Sequence, residues 1–153
     1  MDGVSGFVEE AGVFYERLGL SRTEGRVMGW LLSAPEDSAD APRLCGEMAV
    51  AKSSMSVALR RLEQVGLVER FRRPGERRDR YRLAEDVFEQ AFRAKMAEFD
   101  RFRGLAERGL AVVGDDPARR ARLELMRDMY GFMAERFPLL LDEWDRVKEE
   151  RRR

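Results

Sequence analysis

Two groups of side chains in this sequence have types and spacing suited to chemistry, and both suit an anionic surface. Across a helical repeat from Lys52 to Val65, the residues Lys52, Ser53, Ser56, Val57, Arg60 and Gln64 lie opposite an apolar seam of Met55, Leu59, Leu62 and Val65, with Ser54 near the start of the polar side. Short hydroxyls at a helix N-terminus let the backbone approach a nucleic acid closely and can bond a phosphate or a base edge. Val57 offers a surface to a thymine methyl group, and Arg60 offers a fork for a guanine edge or a phosphate. Downstream, Arg72, Arg73, Arg77, Arg78 and Arg80 crowd around Pro74-Gly75-Glu76. Like charges so dense disfavour a turn in isolation. Against a polyanion each neutralised phosphate releases counterions, and an arginine at a hairpin tip suits the narrow minor groove. Glu76 and Asp79 are expected to orient the neighbouring arginines rather than touch DNA. A lone helix with this polar side reads as an ordinary solvated face; after a tight turn and before a basic hairpin it reads as a DNA-contacting helix.

The rest of the composition narrows the alternatives. The 153 residues are 44% hydrophobic and 38% charged, which suits a soluble globular chain. Histidine is absent, removing the commonest general base and a common zinc ligand, and the single cysteine, Cys45, excludes an intrachain disulfide or a CxxC metal clip. Without an acid–base pair legible from spacing, an enzyme is the weakest reading, and no cofactor or metal is expected. The start of the chain is acidic and glycine-broken, unlike a secretory signal, and no apolar run is long enough to span a bilayer. Expectation therefore places the chain in the reducing cytoplasm, with no membrane partner. Net charge is zero, but from Arg43 to Arg82 eleven basic residues face five acidic ones, a local excess of +6 against −6 elsewhere. A basic middle between acidic ends suits a protein that presents one face to a polyanion.

Helices and a hairpin are needed to position these groups. Phe7, Val8, Ala11, Phe14, Tyr15 and Leu18 have helical spacing over Gly6 to Leu18, closed by Gly19. Ser21-Arg22-Thr23-Glu24 is a capping box that starts a helix to about Ser33, burying Val27, Met28, Trp30, Leu31 and Leu32. A loop from Pro35 leads to Asp40, which can cap a short helix from Ala41 to Met48 with Pro42 in its first turn. The turn Ala49-Val50-Ala51 then joins it to the Lys52–Val65 helix, forming a helix-turn-helix. After Gly66 the repeat changes: Leu67 to Arg73 and Arg78 to Leu83 alternate as strands of a hairpin. A helix follows from about Glu85 to Val113, with Phe88, Phe92, Met96, Phe99, Phe102, Leu110 and Val113 on one side. Asp116-Pro117 starts the last, which carries Leu123, Met126, Met129, Tyr130, Met133, Phe137, Leu140, Leu141, Trp144 and Val147 and which Pro138 should kink. The closing Lys148–Arg153 run reads as a solvated helix end. The apolar surface of the terminal helices exceeds what so small a head can cover, so a second copy about a two-fold axis is expected. The expected fold is mainly α with a small β-hairpin wing: a winged helix-turn-helix over 21–84, an N-terminal helix over 1–20 that joins the dimerisation region, and a C-terminal helical dimerisation region over 85–153.

Leu44-Cys45-Gly46-Glu47, Lys52-Ser53-Ser54-Met55-Ser56 and Leu62-Glu63-Gln64-Val65-Gly66-Leu67-Val68-Glu69-Arg70 together resemble the MarR winged-helix pattern. Phe7-Val8-Glu9-Glu10, the stretch from Leu18 to Leu32 and the tip Arg73-Pro74-Gly75-Glu76-Arg77 resemble its GbsR-like branch. The resemblance is close from Phe7 to Leu83 and architectural beyond. It implies a homodimeric transcriptional regulator, acting as a repressor, whose recognition helices enter successive major grooves of a pseudo-palindromic double-stranded DNA operator while the wings touch flanking minor grooves. Ser53, Ser54, Ser56, Val57 and Arg60 would then lie at or near base edges, and Arg78 would match the wing arginine. Ala51 departs from the usual capping serine, and Glu76 from the usual aspartate. Cys45 stands where the pattern has alanine, as core filler. The GbsR-like branch is associated with choline or betaine sensing, which leaves room for a small-molecule effector, and Trp30, Phe92, Phe99, Tyr130 and Trp144 are candidates for lining its site. Aromatic residues at helical spacing read first as core. The competing reading is a winged-helix protein–protein interaction module without specific DNA binding, which binding to genomic DNA fragments at low salt would exclude.

Overall fold

Local capping chemistry decides where three of the six described helices of the computed structural model begin. The model describes residues 3–153. Helix α1 (Gly3–Arg17) starts earlier than its apolar repeat suggests and is followed by Gly19 at φ +95°. Helix α2 (Arg22–Ser33) starts with the expected reciprocal box: the Ser21 hydroxyl accepts from the Glu24 amide at 3.2 Å, and the Glu24 carboxylate accepts from the Ser21 amide at 2.9 Å. The two helices approach with almost nothing between their backbones. A Cβ on Gly29 would lie 2.6 Å from that of Ala11, and one on Gly25 would lie 2.9 Å from the Cα of Gly12. These glycines are therefore required by packing, at the cost of weaker helix propensity.

The stretch before Asp40 is not wholly a loop. Ala39–Asp40 forms strand β1, which pairs antiparallel with β3 (Arg80–Leu83) so that Ala39 faces Tyr81 and Asp40 faces Arg80. Strand β2 (Val68–Phe71) pairs with the other edge of β3, giving a three-stranded sheet of order β1-β3-β2 where two strands are expected from sequence. Asp40 also caps helix α3 (Ala41–Met48), accepting from the Arg43 amide at 3.0 Å, with proline in the first turn as expected. Helix α4 (Lys52–Gln64) follows the turn. Val27, Met28, Leu44, Met55, Leu59, Leu62 and Val68 are almost wholly inaccessible and form the core. Two expected core residues are not part of it. Val65 caps the end of α4, where the chain turns away at Gly66 (φ +77°), and is 52% exposed; Leu32 lies round α2 from buried Leu31 and is 39% exposed.

The chain divides into two compact units, one ending at Val87 and the other running from Phe88 to Arg153. The second is a pair of long helices, α5 (Val87–Val112) and α6 (Pro117–Arg151), with Gly114 at φ +64° between them. Asp116 caps α6 by accepting from the Ala118 and Arg119 amides, and α6 runs unbroken through Pro138. Phe99 meets Tyr130 and Phe137, while Phe102 stacks on Tyr130 with ring centres 4.5 Å apart. Glu89 accepts from Lys148 Nζ at 2.8 Å and from the Trp144 indole at 3.0 Å, and these donors, Lys148 first, hold its pKa down from the ordinary 4.5 to about 2. Much of the expected apolar side stays uncovered within the unit, with Phe88, Phe92, Phe102, Met129 and Leu140 exposed, and Leu125 and Phe132, which the apolar spacing does not include, are exposed as well. On α1, Val4, Phe7 and Phe14 form a similar exposed stripe, continued by Leu18 just beyond the helix. Among the described residues, no helix is long and apolar enough to cross a membrane.

Two stability outcomes follow from this packing. Gly29→Ala places a methyl group against Ala11 and should cost roughly 1–3 kcal/mol in urea unfolding, whereas Gly46→Ala, with open space around it, should gain up to about 1 kcal/mol from propensity; equal midpoints for the two variants would contradict the close approach. Because the folded pKa of Glu89 is depressed, its contribution is full above the unfolded pKa and is lost as pH falls from about 4.5 toward about 2. Wild type should exceed Glu89→Gln by roughly 1–3 kcal/mol at pH 6, and the gap should close by pH 2.

Candidate nucleic-acid interface

Burial of Met55, Leu59 and Leu62 turns the opposite side of α4 to solvent. Lys52, Ser53, Ser54, Ser56, Val57 and Arg60 are all exposed there. Among the described residues, no side-chain hydrogen bond or ion pair engages Lys52, the three serines or Arg60, so their donors are available to an external acceptor. The neighbouring Arg61 behaves differently: its Nε lies 3.6 Å from Glu24 Oε1, a carboxylate that is itself 3% exposed and already caps α2. Glu24 thus ties α2 to α4. Helix α4 starts at Ala51 with no side-chain cap, as the sequence departure implies, which leaves its first amide donors uncapped from within.

The five candidate arginines of the hairpin occupy different environments. Arg77 is exposed at the tip with no ion pair among the described residues. Arg72 donates from Nε and Nη2 to Asp79 Oδ1 at 3.0 and 2.7 Å, the orienting contact expected of Asp79, and Arg70 adds a longer pair at 3.7 Å. Arg78 reaches Asp40 at 3.2 Å while remaining 70% exposed. Arg73 donates to the Ser38 hydroxyl at 3.4 Å and lies 3.5 Å from Asp37. Arg80 is turned inward: 17% exposed, it donates to the Ser38 hydroxyl at 3.1 Å and to the Ser38 carbonyl at 2.8 Å, with Glu76 at 3.9 Å. Asp37 and Ser38 are the residues that sequence reasoning missed. Nothing in their spacing marks them, because only the pairing of β1 with β3 brings them beside the arginines. Burial alone would raise the Asp40 pKa; the Arg43 amide and the Arg78 guanidinium outweigh it and hold the carboxyl below its ordinary value.

Other candidates fall elsewhere. Trp30 belongs to the core of the first unit, with the Arg43 guanidinium 5.4 Å from its ring centre. Cys45 is half-buried against the same core. Among the described residues, no cluster of three or more histidine, cysteine or acidic side chains is arranged to hold a metal. In the helical unit, Phe88, Phe92, Phe137, Leu140, Leu141 and Trp144 line a cavity of about 440 Å³ with Glu89 at its edge, while Phe99 and Tyr130 pack against each other.

The model of the MarR family matches residues 18–79, and that of the MmpR5-like MarR family transcriptional regulators matches residues 86–149. The HTH-type transcriptional regulator MmpR5 of Mycobacterium tuberculosis (strain ATCC 25618 / H37Rv) is 34% identical over 128 residues, covering 83% of this chain and 78% of that protein. A solved structure described as a transcriptional regulator superposes with a TM-score of 0.75 at 30% identity, covering 94% of this chain and 98% of the other.

The contrast between Arg80 and Arg77 is testable without DNA. Arg80→Ala leaves the buried Ser38 hydroxyl and carbonyl short of a donor and should cost roughly 1–3 kcal/mol, while Arg77→Ala should stay within about 0.5 kcal/mol of wild type. Urea denaturation of both variants reads the difference, and equal stability would contradict the inward placement of Arg80.

Proposed function

The chain belongs to the MarR family of winged-helix transcriptional regulators, and we propose that it acts as a homodimeric repressor that reads a pseudo-palindromic duplex operator. The observation that carries this reading is the pairing of an unoccupied polar face, Lys52 to Arg60 on α4, with an exposed arginine-tipped hairpin in the same unit. Ser53, Ser54, Ser56 and Val57 enter the major groove close to base edges, and Arg60 reads a guanine edge or holds a phosphate. Arg77 occupies the flanking minor groove; Arg72, Arg73 and Arg78 exchange their exposed carboxylate partners for phosphates. Arg80 contributes by holding the hairpin on Ser38.

The exposed stripes Val4, Phe7 and Phe14 on α1, and Leu125, Met129 and Phe132 on α6, support the second copy. Residues 1–20 and 85–153 then form the dimerisation region, and 21–84 the DNA-reading head. Within the family, the motifs of residues 7–32 and the wing tip favour a GbsR-like relationship, while the helices after residue 85 match the MmpR5-like model. The cavity beside Phe92 and Trp144 gives an apolar small-molecule effector room. Choline or betaine would meet no free carboxylate there, because Lys148 already neutralises Glu89. A cytoplasmic location follows from work on chromosomal DNA.

Selection from a randomised duplex pool should enrich two half-sites about 10 base pairs apart. On the enriched duplex, Arg60→Ala should lose about 1–3 kcal/mol of discrimination at one base position per half-site. Arg77→Ala should weaken all duplexes alike and flatten the salt slope by roughly 2 for a dimer, one phosphate per wing. No enrichment, with no retention of genomic fragments at low salt, would favour the protein-interaction module instead.

A further inference from the structure

The turn that launches α4 is poorly anchored by its own residues. Ala49 occupies the left-handed region at φ +52°, a conformation that costs a non-glycine residue on the order of 1 kcal/mol. Ala51, at the N-cap, contributes no side-chain hydrogen bond. The backbone ties are the Ala49 and Val50 amides, both donating to the Cys45 carbonyl, the latter at 3.1 Å. A side chain from outside the motif completes the turn: Arg26 of α2 donates from Nη2 to the Met48 carbonyl at 2.9 Å. That carbonyl belongs to the last turn of α3, where helical acceptors have no internal partner and the helix dipole is negative. A guanidinium is the group best suited to such a site.

The same guanidinium has a second partner. Its Nε forms an ion pair with Glu9 Oε1 of α1 at 2.6 Å, without hydrogen-bond geometry, and the Arg26 side chain is only 20% exposed. Its route is kept open by Gly12 of α1: a Cβ there would lie 2.8 Å from Arg26 Cγ. One arginine therefore ties α1, which carries the exposed stripe Val4, Phe7 and Phe14, to the carbonyl that precedes the recognition helix.

We propose that Arg26 is a positioning residue that sets the start of α4 from the placement of α1, so that docking of a second copy on α1 is transmitted to the serines at 53–56 through the Glu9–Arg26–Met48 chain. The proposal rests on the DNA-reading function assigned above. The chain has two independently breakable links. Arg26→Gln removes the guanidinium from both partners, whereas Glu9→Gln leaves the Met48 bond and weakens the hold of α1 on both Arg26 and Arg22.

Two readouts test it, one free of DNA. In amide hydrogen exchange of the folded protein, Arg26→Gln should speed exchange at least tenfold at residues 49, 50 and 55, whose amides donate to the Cys45 and Ala51 carbonyls, while the amides of α6 keep their wild-type rates, and Glu9→Gln should give a smaller change at the same residues. Unchanged exchange at these three amides in Arg26→Gln would overturn the proposal whether or not the protein reads DNA. On the duplex enriched from the randomised pool, Arg26→Gln should lose about tenfold in affinity while a scrambled duplex of equal length binds within twofold of wild type. Equal losses on both duplexes would mark Arg26 as a general stability residue and overturn the positioning role. Failure of the wild-type protein to prefer the enriched duplex would sink the DNA-reading function, and hydrogen exchange alone would then decide whether Arg26 tethers the turn. Arg26→Lys, which can satisfy one partner at a time, should fall between wild type and Arg26→Gln in both readouts.

Discussion

Helix α4 has two dissimilar sides, and burial of one determines what the other can do. Met55, Leu59 and Leu62 close over Val27, Met28 and Leu44 with almost no accessible surface. Each such side chain contributes roughly 1.5–3 kcal/mol relative to exposure, so rotating the helix to hide its serines would cost several times any gain from solvating them differently. The orientation of Lys52, Ser53, Ser56 and Arg60 is therefore set by hydrophobic packing beneath them rather than by polar contacts among them. Polar groups left without internal partners on a helix held this firmly are prepared for an external one. The close approach of α1 and α2 through Gly12, Gly25 and Gly29 gives that packing a rigid support.

The hairpin follows a different logic. Its arginines are kept apart and oriented by Asp79, Asp40, Asp37 and Ser38, at separations between 2.7 and 3.5 Å. Exposed pairs of this kind are each worth only about 0–1 kcal/mol, so exchanging a carboxylate for a phosphate costs little. The one inward contact, Arg80 on Ser38, is the part of the network protected from solvent and salt. The hairpin is thus fixed at its root and exchangeable at its tip.

Much of this architecture was legible in the residues. The capping box at Ser21, the Asp40 and Asp116 caps and the change of repeat after Gly66 are local signals, and the structure forms each of them. Strand β1 was not legible because two residues carry no periodicity; β3 alone makes Ala39–Asp40 a strand. Ser38 and Asp37 escaped for the same reason, since their roles exist only after the sheet has formed. Val65 has the spacing of a core residue but sits where the backbone leaves the helix, which apolar spacing does not reveal. The helices after residue 85, which by sequence resemble the family only in architecture, match a family model over 86–149. Several of the apolar residues expected there, Phe88, Phe92, Phe102, Met129 and Leu140, are exposed in the structure.

The central claim is that the α4 face and the arginine tip act together, twice over, on one duplex. Hydroxyl-radical footprinting of the bound, enriched duplex tests it most directly, with the protein's mass measured in the same buffer. The expected result is a dimer and two equivalent protected patches about 10 base pairs apart, each flanked by a protected minor groove. A single patch, protection without two-fold symmetry, or a monomer bound at full affinity would contradict it.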